Sequence, residues 1–147
     1  MNENENSTAL LSEIYRNLSV GSENLGNLIP KIKDKFLMQN VTGQMERYSA
    51  FAEETAALMK QQGLNPPKIS AAEKFLMRGG AMINTMFDSS DRHIAALIEK
   101  GTKMGAQALE STLLSSKNIN ASPTAIDLAR KVADFERTEA YNMRDFI

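Results

Sequence analysis

Apolar side chains recur along this chain with helical spacing almost from end to end. Leu11, Ile14, Leu18, Gly21, Leu25, Leu28 and Ile32 step alternately by three and four residues, the spacing that lays one side of a helix against a partner. Ser7 is placed to cap this first helix. Pro30 is placed to kink its last turn or end it early, because proline lacks the amide a continuing turn needs. A reversal is expected around Asp34, followed by a second helix running to Gly63, a natural C-cap, with Pro66-Pro67 as its stop. The seam of that helix reads Met38, Thr42, Met45, Ser49, Ala52, Ala56 and Met59, heptad-spaced again but smaller and more polar. Ser70 and Glu73 make a capping box for a segment that breaks near Asp88-Ser-Ser-Asp91, where Ser90 can cap a further helix reaching about Ser116. Ser122-Pro123 sets an N-cap before a proline at the first helical position and opens a last helix. Its seam is Ala125, Leu128, Val132, Phe135, Glu139, Asn142 and Phe146. No segment alternates with period two over a useful length, so no sheet is predicted.

Two stretches read as copies. Leu18-Ser-Val-Gly21-Ser-Glu-Asn-Leu25 resembles Thr102-Lys-Met-Gly105-Ala-Gln-Ala-Leu109, and Met45-Glu46-Arg47 recurs as Phe135-Glu136-Arg137. The order is kept, with about six extra residues in the second loop, as expected when one helical hairpin is used twice and each copy buries its apolar face on the other. The prediction is an all-α four-helix bundle built from two repeated hairpins. It forms a single domain over residues 1–147, with 1–6 as a disordered tail. An extra helix over 68–88 fills the crossover between the second and third bundle helices. Glycine costs about 1 kcal/mol against alanine inside a helix, so Gly21, Gly101 and Gly105 on apolar faces predict close backbone approach between the first and third helices. A small cavity at that level is the alternative.

With this repeat, the Gly63-Leu-Asn-Pro-Pro turn and the stretch Thr85-Met-Phe-Asp-Ser-Ser-Asp-Arg-His-Ile, the chain resembles the ferritin-like superfamily, and more narrowly a group of small bacterial ferritin-like proteins of unknown function. The resemblance spans about Leu10 to Phe146. It implies a two-iron or two-manganese centre, held by a carboxylate from the first and third helices and a Glu-x-x-His from the second and fourth. The repeat sets Glu46-Arg-Tyr-Ser49 and Glu136-Arg-Thr-Glu139 in the Glu-x-x-His slots, without the histidines, and the facing positions are Gly21 and Gly105. The metal candidates that remain are Glu46, Glu136 and Glu139. Against that, Glu46 and Glu136 can be solvated or paired with Arg47, Arg137 or Arg144, and Glu139 can be a hydrogen-bonded polar group that fixes register.

Composition narrows the function classes. Seventeen basic and eighteen acidic residues give a formal charge of −1 with no basic cluster, which argues against nucleic acid or an anionic membrane as partner. The chain has no cysteine, so disulfides and thiolate metal sites are excluded. No apolar run approaches the ~20 residues of a membrane span, and the acidic start Met1-Asn-Glu-Asn-Glu-Asn is unlike a signal peptide; the expected location is cytoplasmic. The lone His93 reads as surface or cap-associated, with a metal role needing Asp88 or Asp91. Gly79-Gly80 lacks the spacing of a phosphate loop, and the nine methionines read as core filling or as a groove for a partner helix. The crossover helix, with Phe75, Leu76, Met77, Met82, Ile83, Met86 and Phe87, predicts a homodimer through its apolar surface. The expected function is a non-catalytic structural or interaction module with a degenerate metal site and no cofactor. The alternative is a metal-carboxylate protein that binds or oxidises iron or manganese.

Overall fold

A computed structural model describes residues 3–69, 88–115 and 120–147. Within them four helices carry the fold: α1 (Glu3–Leu28), α2 (Lys35–Gln61), α3 (Asp91–Leu114) and α4 (Pro123–Met143). Short 3-10 turns follow α1 at Ile29–Lys31 and α4 at Arg144–Phe146. Among the described residues there is no strand, and no helix is long and apolar enough to cross a membrane.

The boundaries follow local chemistry. α1 gives way at Leu28 to the turn that contains Pro30. Asp34 caps α2, its carboxylate accepting from the Phe36 amide at 3.1 Å. At the other end Gly63 takes φ +73°, the left-handed conformation that glycine adopts without a Cβ penalty. The Leu64 and Gly63 amides donate to the Met59 and Lys60 carbonyls at 2.9 and 3.0 Å, closing a Schellman turn. Ser90 and Ser122 cap α3 and α4 by accepting from the His93 and Ala125 amides.

Two contacts between elements set the direction of each helix. The amides of Lys33 and Asp34 donate to the two oxygens of the Asp91 carboxylate at 2.9 and 2.8 Å. The first turn of α3 therefore lies at the end where α1 finishes and α2 begins. The Ser122 amide donates to the Ser7 hydroxyl at 2.7 Å, which puts the start of α4 beside the start of α1. α1 thus runs antiparallel to α2 and α3 and parallel to α4. Packing is closest between α3 and α4 and between α1 and α2. α1 touches both helices of the second pair, whereas α2 and α4 approach less closely and are bridged by long side chains.

The α1 seam is buried at all seven expected positions. Ser7, expected as the cap, lies inside α1: the helix starts at Glu3, Asn6 is buried, and the Ser7 hydroxyl donates back to the Glu3 carbonyl at 2.7 Å. Residues 3–6 are thus helix rather than tail. The α2 seam differs by one position, a turn of about 100°. The buried stripe is Leu37, Val41, Gln44, Tyr48, Thr55 and Met59, while Met38, Thr42, Met45, Ala52 and Ala56 are half-buried and Ser49 is exposed. Helical polar groups on that stripe find partners: the Thr55 hydroxyl donates to the Phe51 carbonyl and the Gln44 amide to Asn40 Oδ1. The crossover helix expected over 68–88 falls on residues 70–87, outside the described residues.

Candidate functional site

Inside the bundle the polar centre is built around one aromatic ring. Gly21 of α1 and Tyr48 of α2 face each other so closely that a Cβ on Gly21 would sit 2.5 Å from Tyr48 Cε1. The missing side chain is thus the space the phenol ring occupies. Tyr48 is 1% exposed, and its hydroxyl donates to Glu136 Oε2 on α4 at 2.7 Å. Phe135 meets the Tyr48 ring edge-on at 4.9 Å and Phe51 at 5.2 Å, an arrangement favoured by the ring quadrupole. Phe51 and Phe135 give the α2–α4 gap an apolar wall.

One turn further along α4, Glu139 is buried as well. Its Oε1 accepts from Arg47 Nε at 2.8 Å, and Arg47 Nη2 approaches the same oxygen at 2.5 Å. Its Oε2 is buried without a hydrogen-bond partner among the described residues. The Arg47 side chain is half-exposed, whereas the Glu139 side chain retains 5% exposure. Gly43, one turn before Arg47, makes room for the guanidinium, since a Cβ there would come within 3.2 Å of Arg47 Nη1. Each carboxylate thus meets a donor from α2 across the wider side of the bundle.

The three candidate metal residues fare differently. Glu136 and Glu139 are buried and share a face of α4. Glu46 is on the exposed side of α2, as is Ser49, because the true stripe of that helix runs one residue away. Tyr48, which the repeat did not single out, stands opposite Glu136 instead. The signal that finds it is the buried four- and three-residue ladder Leu37, Val41, Gln44, Tyr48, together with a glycine on the facing helix. Of the expected arginine partners, Arg47 takes Glu139, Arg137 pairs with Glu110 at 2.8 Å, and Arg144 lies over the Tyr141 ring at 5.3 Å.

The glycines also divide. Gly21 admits a side chain from α2 rather than the backbone of α3. Gly105 does mark an approach of α1 to α3, since its carbonyl accepts from buried Asn17 Nδ2 at 2.9 Å. A Cβ on Gly101 would meet nothing within 4 Å, so that position is no close contact. The ring of Tyr48 fills the place beside Gly21 where a cavity was the alternative.

Near the start of α3 the acidic side chains serve the backbone. Asp91 holds Lys33 and Asp34, and Asp88 accepts from the Ser90 amide at 2.9 Å. That backbone hydrogen bond, with the Ser90 hydroxyl and the His93 charge adding to it, holds the Asp88 carboxyl below the usual aspartate value. The His93 ring has no assigned role in capping, which uses only its amide. An open cleft of about 300 Å³ lies apart from the polar centre, lined by Tyr15, Ser19, Pro66, Pro67, Lys68 and Ile69. None of these is a carboxylate or an imidazole.

A dinuclear iron or manganese centre wants carboxylates and imidazoles converging from several helices. The residues here do not fit one. Among the described residues the buried carboxylates come from α4 alone, the Tyr48 ring occupies the space in front of Gly21, and one oxygen of Glu139 is engaged by a guanidinium. Among the described residues no group of three or more His, Cys, Asp or Glu side chains is placed to hold a metal ion. Comparison with protein-family models, curated proteins and solved structures returns no match.

Proposed function

We propose that this chain is a ferritin-like bundle that works without catalysis, as a structural or protein-interaction module whose ancestral metal position has become a register lock. The observation that carries the reading is the Tyr48 hydroxyl on Glu136, with its ring in the space left by Gly21. This joins three helices through one side chain. A buried carboxylate satisfied by a hydroxyl from a particular neighbour penalises every slipped alternative, since a buried polar group without its partner costs roughly 1–3 kcal/mol. The ferritin-like part rests on helix direction: α2 finishes and α3 begins at opposite ends of the bundle, as two hairpins joined by a crossover require. The interaction part is supported by Phe36, Tyr141 and Ile147, large apolar side chains exposed at the end where α2 begins and α4 finishes.

One feature favours the metal-carboxylate alternative. Glu136 and Glu139 are buried one turn apart, and Glu139 Oε2 is free of hydrogen bonds among the described residues. Metal analysis of protein purified without added chelator separates the two readings. The module reading expects well under one iron or manganese per chain, and a melting temperature unmoved by Fe²⁺ or Mn²⁺. One transition metal per chain, with stabilisation on re-addition, overturns it.

A further inference from the structure

We infer that one turn from Tyr48, toward the end where α2 begins, the bundle encloses a binding site for a single water molecule, held by Asn24, Gln44 and Glu139. The site follows from register. The contact of Gly21 with Tyr48 and the hydrogen bond from Tyr48 to Glu136 set α1, α2 and α4 at one height. α1 and α4 run parallel and α2 runs against them, so Asn24, Gln44 and Glu139 each lie one turn further in the same direction, a rise of about 4.5–6 Å. Spacings of three or four residues keep each of them on the side of its helix that faces the polar centre. Each brings a buried oxygen without a hydrogen-bond partner among the described residues: Asn24 Oδ1, Gln44 Oε1 and Glu139 Oε2. Gln44 and Glu139 are 0% and 4% exposed.

Acceptors on one level have nothing to offer one another, and the donors nearest them are already engaged. Gln44 Nε2 donates to Asn40 Oδ1 at 3.3 Å. Both nitrogens of Arg47 approach Glu139 Oε1 and leave Oε2 unserved. α3, tied antiparallel to α1 through Asn17 and Gly105, presents buried Ile98 at this height, and its side chain has no donor. One water molecule meets the need with about the three bonds that buried waters make. Its two protons go to Gln44 Oε1 and Glu139 Oε2, and its oxygen accepts from Asn24 Nδ2 once that amide is turned over, a rotation that keeps its shape. Room for it lies on this side of the bundle, where α2 and α4 approach less closely than the paired helices. The inference does not depend on the module reading, and it assigns to water the oxygen that the metal-carboxylate reading would give to an ion.

The test is water-selective NOE and ROE spectroscopy on the full wild-type chain labelled with nitrogen-15. The side-chain amide protons of Asn24 and Gln44 should show water cross-peaks of opposite sign in the two experiments, the mark of a water that tumbles with the protein. Wild type alone decides this point, whether or not any variant folds. Thermal unfolding of Asn24→Leu, Gln44→Leu and the double variant checks that one molecule serves both amides. Each single variant should melt about 2–4 °C below wild type, because it strands groups that the water joined. The second substitution should cost less than half of the first, since the water is already lost. Cross-peaks that are missing, or of equal sign in both experiments, overturn the inference; together with sub-additive losses they mean that the amides bond each other directly. Additive losses overturn it as well, by placing the two side chains in separate surroundings.

Discussion

At Gly21 a single hydrogen atom is the whole side chain, and the Tyr48 ring depends on it. The built Cβ distance of 2.5 Å to Tyr48 Cε1 is well inside van der Waals contact, and the ring cannot swing away without giving up Glu136. Gly21→Ala should therefore destabilise by about 1–3 kcal/mol, although alanine is the better helix former. Urea unfolding of a double-mutant cycle with Tyr48→Leu checks it: the alanine penalty should fall by more than half once the ring is shortened. Equal penalties in both backgrounds would place the strain elsewhere. The glycine itself is visible in the sequence, but its partner is not. Tyr48 and Glu136 are 88 positions apart, and nothing local to either residue announces the other.

At the scale of elements, what local chemistry specifies was legible. Gly63, Ser90 and Ser122-Pro123 end or begin helices through groups within four residues of themselves, and each does so in the structure. The inward side of α2 was not legible in the same way. Its buried stripe contains Gln44, Tyr48 and Thr55, while the methionines that mark an apolar seam at Met38 and Met45 stand half-buried on its flank. Burial of polar groups is permitted by partners, one of which is on another helix, so hydrophobic periodicity alone turns this helix by one position. That rotation is also what sent Glu46 to solvent and hid Tyr48. The caps supply a pH prediction. The Asp88 carboxyl, held low chiefly by the Ser90 amide and then by its hydroxyl, should titrate below the ordinary aspartate value of 3.8 in a carbon-detected NMR experiment. A depressed folded-state value means that its contribution is present above the unfolded value and is lost as pH falls through the folded one. Ser90→Ala should raise the value only part of the way, because the amide remains; an unchanged value would remove the hydroxyl from the account.

For the molecule as a whole, the two hairpins are joined chiefly through α1, and the side where α2 faces α4 is spanned by Tyr48, Arg47 and the Phe51–Phe135 contact. The bundle and its helix order were readable because each hairpin carries its own pattern; the polar centre was not, since it exists only where the hairpins meet. The apolar end made by Phe36, Tyr141 and Ile147 belongs to this scale too. Light scattering at micromolar concentration should return twice the 16.3 kDa of one chain, and Phe36→Ser with Tyr141→Ser should shift the mass toward one chain. A monomer mass for the unaltered protein would count against self-association.

The carboxylate of Asp91 gives the turn before α2 an unusual property. The amides of Lys33 and Asp34 sit in an exposed turn, where protons ordinarily trade with water within moments. Their acceptor, however, belongs to another hairpin, so neither proton is released by fraying of its own helix. Exchange at these two sites therefore reads the release of the Asp91 carboxylate, by rotation of its side chain or by parting of α3 from the first hairpin. The pair should exchange together, more slowly than other exposed turns and sooner than the buried centre of α1, with Asp91→Ala setting both free at once.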